Sequence, residues 1–170
     1  SGGALVNQKG ELVGINTAIA SRTGSYTGYS FAVPVSIVQK VVSDLMEFGE
    51  VQRGILGVNI RNVNSALADE LDLEQPRGIY VANVMENSGA EEAGIKEGDV
   101  IVSIDGETVE QVAELQEKIS RHRPGDEVAV SAIRDGKKKE FSVTLRNIYG
   151  STDVVKPERA FNQLGAKFKE

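Results

Sequence analysis

The sequence has no cysteine, no tryptophan and a single histidine, His122, among its 170 residues. Without thiols there is no disulfide framework, no thiolate zinc site and no cysteine nucleophile. One imidazole rules out any centre that needs two. Aromatic residues make up only 5% of the chain, too few for a platform on which bases could stack. Basic residues are outnumbered, 19 against 25, and the net charge is −6. That argues against a nucleic-acid partner, which needs a basic face to neutralise phosphates, and against an anionic membrane surface. No apolar run approaches the ~18 residues of a membrane span. The opening Ser1-Gly2-Gly3-Ala4 has neither the basic nor the apolar part of a signal peptide, and there is no initiator methionine. The chain therefore reads as a piece cut from something longer.

What is present is glycine, 18 residues of it, and short apolar runs bounded by turn signals. The length suits one domain with additional pieces at its ends. Residues 1–33 hold the runs Ala4-Leu5-Val6, Leu12-Val13-Gly14-Ile15 and Phe31-Ala32-Val33. They read as two or three strands, too few to bury a face by themselves. Residues 36–48 carry a helical stripe of Ile37, Val41, Leu45 and Phe48. Ser36 and Gln39 have capping-box spacing, and Gly49 is a natural stop.

Residues 50–147 have the composition of one compact unit. Strands are expected over Ile55–Asn62, Gly78–Met85, Val100–Ile104, Glu127–Arg134 and Glu140–Arg146, with Asp135-Gly136 as a tight hairpin turn. Helices are expected over Ser65–Leu73, Ser88–Ala93 and Glu110–His122. The last is read as capped by Thr108 with Gln111, with Val112, Leu115 and Ile119 on its apolar face. Residues 148–160, with Gly150 and Pro157, read as a linker. Leu164-Gly165-Ala166 then echoes Leu56-Gly57-Val58. No metal-ligand cluster or phosphate loop is recognisable, and no cofactor is expected. Lys137-Lys138-Lys139 reads as a charge run that keeps an edge strand from pairing.

Two segments carry chemistry. The first is Ala93-Gly94-Ile95-Lys96-Glu97-Gly98-Asp99-Val100-Ile101-Val102-Ser103-Ile104-Asp105-Gly106, followed by Val109 and a helix. From Gly54 to Arg146 this order resembles PDZ domains, with one departure: Gly89 stands in Ser88-Gly89-Ala90 where that family usually has proline. The second is Arg53-Gly54-Ile55-Leu56-Gly57-Val58. By the resemblance, the loop Ile55-Leu56-Gly57-Val58 takes the carboxylate of a peptide C-terminus on the amides of Leu56, Gly57 and Val58. The peptide then adds as a strand. Leu56, Val58 and Ile60, with Val112, Leu115 and Ile119, would line an apolar pocket for its last side chain; for the helix residues, ordinary core is an equal reading. Arg53 could add charge near the carboxylate.

The order of segments from Gly10-Glu11-Leu12-Val13-Gly14-Ile15-Asn16 through Gly28-Tyr29-Ser30-Phe31-Ala32-Val33-Pro34 and the helix into that domain resembles the HtrA (Do-like) serine endoproteases. Ser1-Gly2-Gly3 matches the end of their Gly-Asn-Ser-Gly-Gly nucleophile motif. The resemblance implies a fold that is mainly β with α. Residues 1–35 would be the last strands of a trypsin-like β-barrel, with a pocket-shaping loop at about 21–30. Residues 36–52 would be a linking helix, 53–147 a PDZ domain as a partly open barrel of five or six short strands with two to three helices, 148–160 a linker and 161–170 the start of a second PDZ domain. Ser1 would be the nucleophile of the parent, inert here because the family supplies its His and Asp from upstream. His122, near a helix end, is read as solvated. Also implied are partners with hydrophobic C-termini, a trimeric or larger parent and a periplasmic or envelope location. The rival reading is a non-catalytic PDZ scaffold, and a further one is an active enzyme completed by another chain.

Overall fold

The structure, a computed structural model, describes residues 2–19, 30–70 and 77–156. Ser1, the loop at about 21–29, the end of the helix expected to reach Leu73, and 161–170 lie outside the described residues. The chain divides into two compact units, Ser1–Val51 and Gln52–Glu170.

The first unit is an antiparallel sheet of β1 (Ala4–Val6), β2 (Leu12–Ile19) and β3 (Ser30–Pro34), in that order, followed by α1 (Val35–Phe48). The β1–β2 turn is set by Asn7, whose Oδ1 accepts from the Lys9 and Glu11 amides. Leu5, Val6, Leu12, Val13 and Phe31 are exposed, consistent with strands too few to enclose a core. The helix starts one residue earlier than expected. Its first flanking residue is Pro34, with no side-chain cap, so the Ser36–Gln39 pair lies inside the helix and does no capping. The stop at Gly49 is as expected: its φ is +71° and its N–H donates to the Leu45 carbonyl.

The second unit is built on a six-stranded sheet. The path is β4 (Val58–Asn62), β5 (Ile79–Val84), β6 (Val100–Ile104), β8 (Glu127–Arg134) and β9 (Lys137–Thr144), with β7 (Glu107–Thr108) paired to β6. Alternation sorts its two faces. Ile79, Val81, Ile101, Val128, Val130 and Ala132 point into the main core. Tyr80, Val100, Val102 and Ile133 point the other way, where Leu67 and Ala68 of α2 (Ser65–Glu70) cover them. The turn at Asp135-Gly136 has both residues at positive φ, +51° and +70°, the geometry expected of that pair. β7 is too short to be signalled by alternation.

The helix α3 (Gly89–Glu92) is capped by Ser88, whose Oγ accepts from the Glu91 amide, while the Glu91 carboxylate accepts from the Asn87 amide. Glycine at position 89 has a steric reason: a Cβ there would lie 1.9 Å from the Thr144 carbonyl oxygen, so α3 rests directly on the β9 backbone. The helix α4 (Val112–Ser120) is shorter than expected. Its flanking residue is Gln111, with no side-chain cap, and Thr108 belongs to β7, so the Thr108–Gln111 box does not form.

Asp99 is fully buried and fully engaged. It meets the Arg134 guanidinium at 2.5 and 2.7 Å, accepts from the Lys96 amide, and shares Arg134 with the Gly94 carbonyl. The hydrogen bonding to the Asp99 carboxylate raises the Arg134 pKa above its ordinary value. The Gly98-Asp99 pair of the motif is thus a structural lock between the α3–β6 turn and β8. The stretch read as a linker is tied down in its first part. The Asn147 Oδ1 accepts from the Tyr149 and Ser151 amides. Buried Gln52 donates to the Val155 carbonyl and accepts from the Val155 amide, at 2.8 and 2.7 Å.

Candidate peptide-binding groove

The loop Ile55-Leu56-Gly57-Val58 leads into β4, and its polar groups divide into used and unused. Ile55 is paired both ways with Arg146: its N–H donates to the Arg146 carbonyl at 2.8 Å, and its carbonyl accepts in return at 3.1 Å. The Leu56 carbonyl accepts from the Ala90 amide and the Gly57 carbonyl from the Met85 amide. The amides of Leu56 and Gly57 have no acceptor among the described residues. Adjacent backbone donors held in this way form a concavity for an anion. Gly57 is at φ +85°, and a Cβ there would lie 2.2 Å from the Ser88 Cβ. Both facts require glycine at this position.

Beyond the loop, β4 is an edge strand paired only with β5. The Gly57 carbonyl and the Val63 amide both bond on the β5 side. In an antiparallel ladder successive residues alternate. Val58, Ile60 and Asn62 therefore turn their backbone groups to the free edge. The β5 partner carries the extra residue at the register shift between Asn59 and Ile60, so the alternation along β4 is unbroken.

The opposite wall is α4. Val112, Leu115 and Ile119 recur at helical spacing on one face. All six apolar residues expected around the pocket come together in one cluster. They are not equally buried: Leu56, Leu115 and Ile119 are buried, whereas Val58, Ile60 and Val112 are partly open. The two walls run antiparallel. A Cβ on Gly54, just before the loop, would lie 3.0 Å from the Arg123 carbonyl beyond the C-terminus of α4. At the other end, the Asn62 Oδ1 accepts from the Val112 amide at 2.7 Å. Arg53 is exposed.

A match to the PDZ domain family model spans residues 54–145, more than half of the chain. The chain belongs to the PDZ family. Its fold is the partly open barrel of that family, mainly β with few helices. The chain is also similar to the periplasmic pH-dependent serine endoprotease DegQ of Escherichia coli, 40% identical over 85% of this chain and 32% of the relative. It is 39% identical to the periplasmic serine endoprotease DegP of the same organism, over 96% of this chain and 34% of that one. Among solved structures, the HtrA-type protease AlgW with a decapeptide is 35% identical, with a TM-score of 0.63, over 85% of this chain and 44% of that one. The homology to HtrA serine endoproteases is thus strong, and the chain spans about a third of the length of the curated relatives it matches.

The sole histidine stands at a helix end, as expected, its backbone N–H donating to the Ile119 carbonyl, but it is less open to solvent than that position suggested. His122 lies between two carboxylates, with Nε2 3.1 Å from Asp105 and Nδ1 3.7 Å from Asp126, and is 27% exposed. Asp105 also accepts from the Ala129 amide and Asp126 from the Arg123 amide. Both ring nitrogens face carboxylates, so neither is placed to take a proton from a hydroxyl nucleophile. Among the described residues, no cluster of three His, Asp or Glu side chains could hold a metal ion. The residue that sequence reasoning missed is Asn62. It was read only as the end of a strand, and its partner lies 50 positions away.

Proposed function

We propose that the PDZ unit binds the C-termini of other proteins through their free carboxylate and an apolar last side chain. The observation that carries this reading is the pair of unused amides at Leu56 and Gly57, set above an apolar floor and beside the free edge of β4. The carboxylate accepts from the amides of Leu56, Gly57 and Val58. The incoming strand pairs with the outward groups of Val58 and Ile60. Its last side chain enters between Val58, Ile60 and Val112, over Leu56, Leu115 and Ile119. Ile55 acts through its backbone, fixing the loop to Arg146.

The whole protein is, on this reading, an HtrA-type serine endoprotease of protein quality control in the periplasm, assembled as a trimer or larger. Its PDZ unit delivers chains that expose hydrophobic ends, and Ser1, in Ser1-Gly2-Gly3, is its nucleophile. A serine hydroxyl needs an adjacent base, and the one imidazole of these 170 residues is held between Asp105 and Asp126. The 170-residue chain alone is therefore expected to hydrolyse nothing and to resist labelling by a serine-reactive phosphonate. Amide shifts test the binding reading. On adding a peptide with a free, hydrophobic C-terminus, the Leu56, Gly57 and Val58 amide protons should move downfield together, with changes along β4 and α4. Shifts confined to another face would overturn it.

A further inference from the structure

The two walls of the groove are joined by a side-chain hydrogen bond made to the first N–H of α4. The first N–H groups of a helix have no partner within it, and a capping side chain serves only that of the second or third helical residue. In α4 the flanking residue, Gln111, makes no such bond. The Val112 amide, the first of the helix, donates to Asn62 Oδ1 on the edge strand, at 2.7 Å. Neighbouring donors are provided for locally: the Glu110 amide donates to the Glu114 carboxylate at 2.8 Å, and the Glu114 and Leu115 amides donate to the Gln111 carbonyl.

We propose that Asn62 is a positioning residue for peptide binding, a strap that fixes the distance between β4 and α4 and closes the groove at the end opposite the carboxylate loop. This rests on the groove reading above. The last ligand residue pairs with Val58 and the third from the end with Ile60, so the fifth from the end meets Asn62. There the strap closes the space between β4 and α4 to ligand side chains. With the strap in place, the Val112 wall is already ordered when the ligand arrives, and its ordering is not charged against binding. Without it, the first turn of α4 frays and the ligand must immobilise it.

The test compares wild type, N62A and N62D for a fluorescent decapeptide with a hydrophobic residue and a free carboxylate at its C-terminus. A net hydrogen bond of this kind is worth about 1 kcal/mol, which corresponds to roughly fivefold in affinity. N62A should bind about fivefold more weakly, chiefly through faster dissociation. Its hydrogen exchange at Val112 should accelerate, while its preference for free acid over amidated peptide stays unchanged. N62D keeps an acceptor for the Val112 amide and should restore binding to within about twofold. Gly94, at φ +85° with open space around it, supplies the control for destabilisation alone: G94A should bind as wild type does. N62A binding as tightly as wild type, or N62D as weakly as N62A, would overturn the strap. Wild type failing to bind any of the peptides would overturn the groove reading itself, and the strap with it.

Discussion

Replacing Gly57 with alanine combines two effects in the loop Ile55-Leu56-Gly57-Val58, the proposed carboxylate site. The first is conformational. Gly57 sits at φ +85°, and holding an L-residue there costs about 1–2 kcal/mol. The second is steric: the new methyl would lie 2.2 Å from the Ser88 Cβ and 2.8 Å from its Oγ, so loop and Ser88 must part. Gly94 provides the comparison, because it has the same φ of +85° and nothing within 4 Å of the added methyl. G94A therefore suffers the first effect only. Urea unfolding should place it about 1 kcal/mol below wild type, or roughly 4–8 °C in Tm for a domain of this size. G57A should lose more, because Ser88 also caps α3 and cannot yield freely. The decisive contrast is in binding. G94A should hold a free-acid peptide as wild type does, whereas G57A should lose at least tenfold, since parting the loop from Ser88 redirects the two unused amides. A G57A variant that is destabilised but binds with wild-type affinity would refute the assignment of those amides to the carboxylate.

Asp99→Asn removes one partner of a pair in which Asp99 is fully buried and the Arg134 side chain is only 19% exposed. It should cost about 3 kcal/mol in denaturant unfolding, and D99N with R134M should cost clearly less than the two singly. Gly89→Pro would restore the residue usual in the family at a position where even a methyl would strike the Thr144 carbonyl, so its Tm should fall rather than rise. The Glu107 carboxyl is held below the ordinary carboxylate range, first by its hydrogen bond to the Lys118 ammonium and then by that charge. The associated stability is present above the ordinary carboxylate pKa and is lost as pH falls through the lowered one. Side-chain NMR titration of K118M should show the Glu107 midpoint rising towards its ordinary value, whereas an unchanged midpoint would contradict the pairing.

Regular strands were the most legible part of the chain. β6 and β8 fall on their expected bounds because the sheet has two covered faces and each strand shows its alternation or continuous apolar run plainly. The Asp135-Gly136 hairpin was legible because the two positive φ values need that dipeptide. Helix starts were not. The spacings Ser36–Gln39 and Thr108–Gln111 match a capping pattern, yet Pro34 fixes one start and β7 claims Thr108 for the other. The box that does form, at Ser88 and Glu91, carried the same signal and was not singled out. That Leu56, Val58, Ile60, Val112, Leu115 and Ile119 gather in one cluster was legible, through helical spacing and the resemblance, but not which of them are buried and which partly open. What could not be read were bonds between distant residues. Asn62 to Val112 spans 50 positions and Gln52 to Val155 spans 103, and polar side chains at such separations leave no periodicity.

The central claim is that this groove reads a chain terminus. One measurement addresses it most directly: the affinity of the 170-residue protein for a hydrophobic-ended peptide, compared with the same peptide amidated at its C-terminus. A charge-assisted bond to unused amides is worth about 1.5–3 kcal/mol, so the free acid should bind at least tenfold tighter. The difference should disappear in G57A. Equal affinity for the two forms, or binding to neither, would contradict the account.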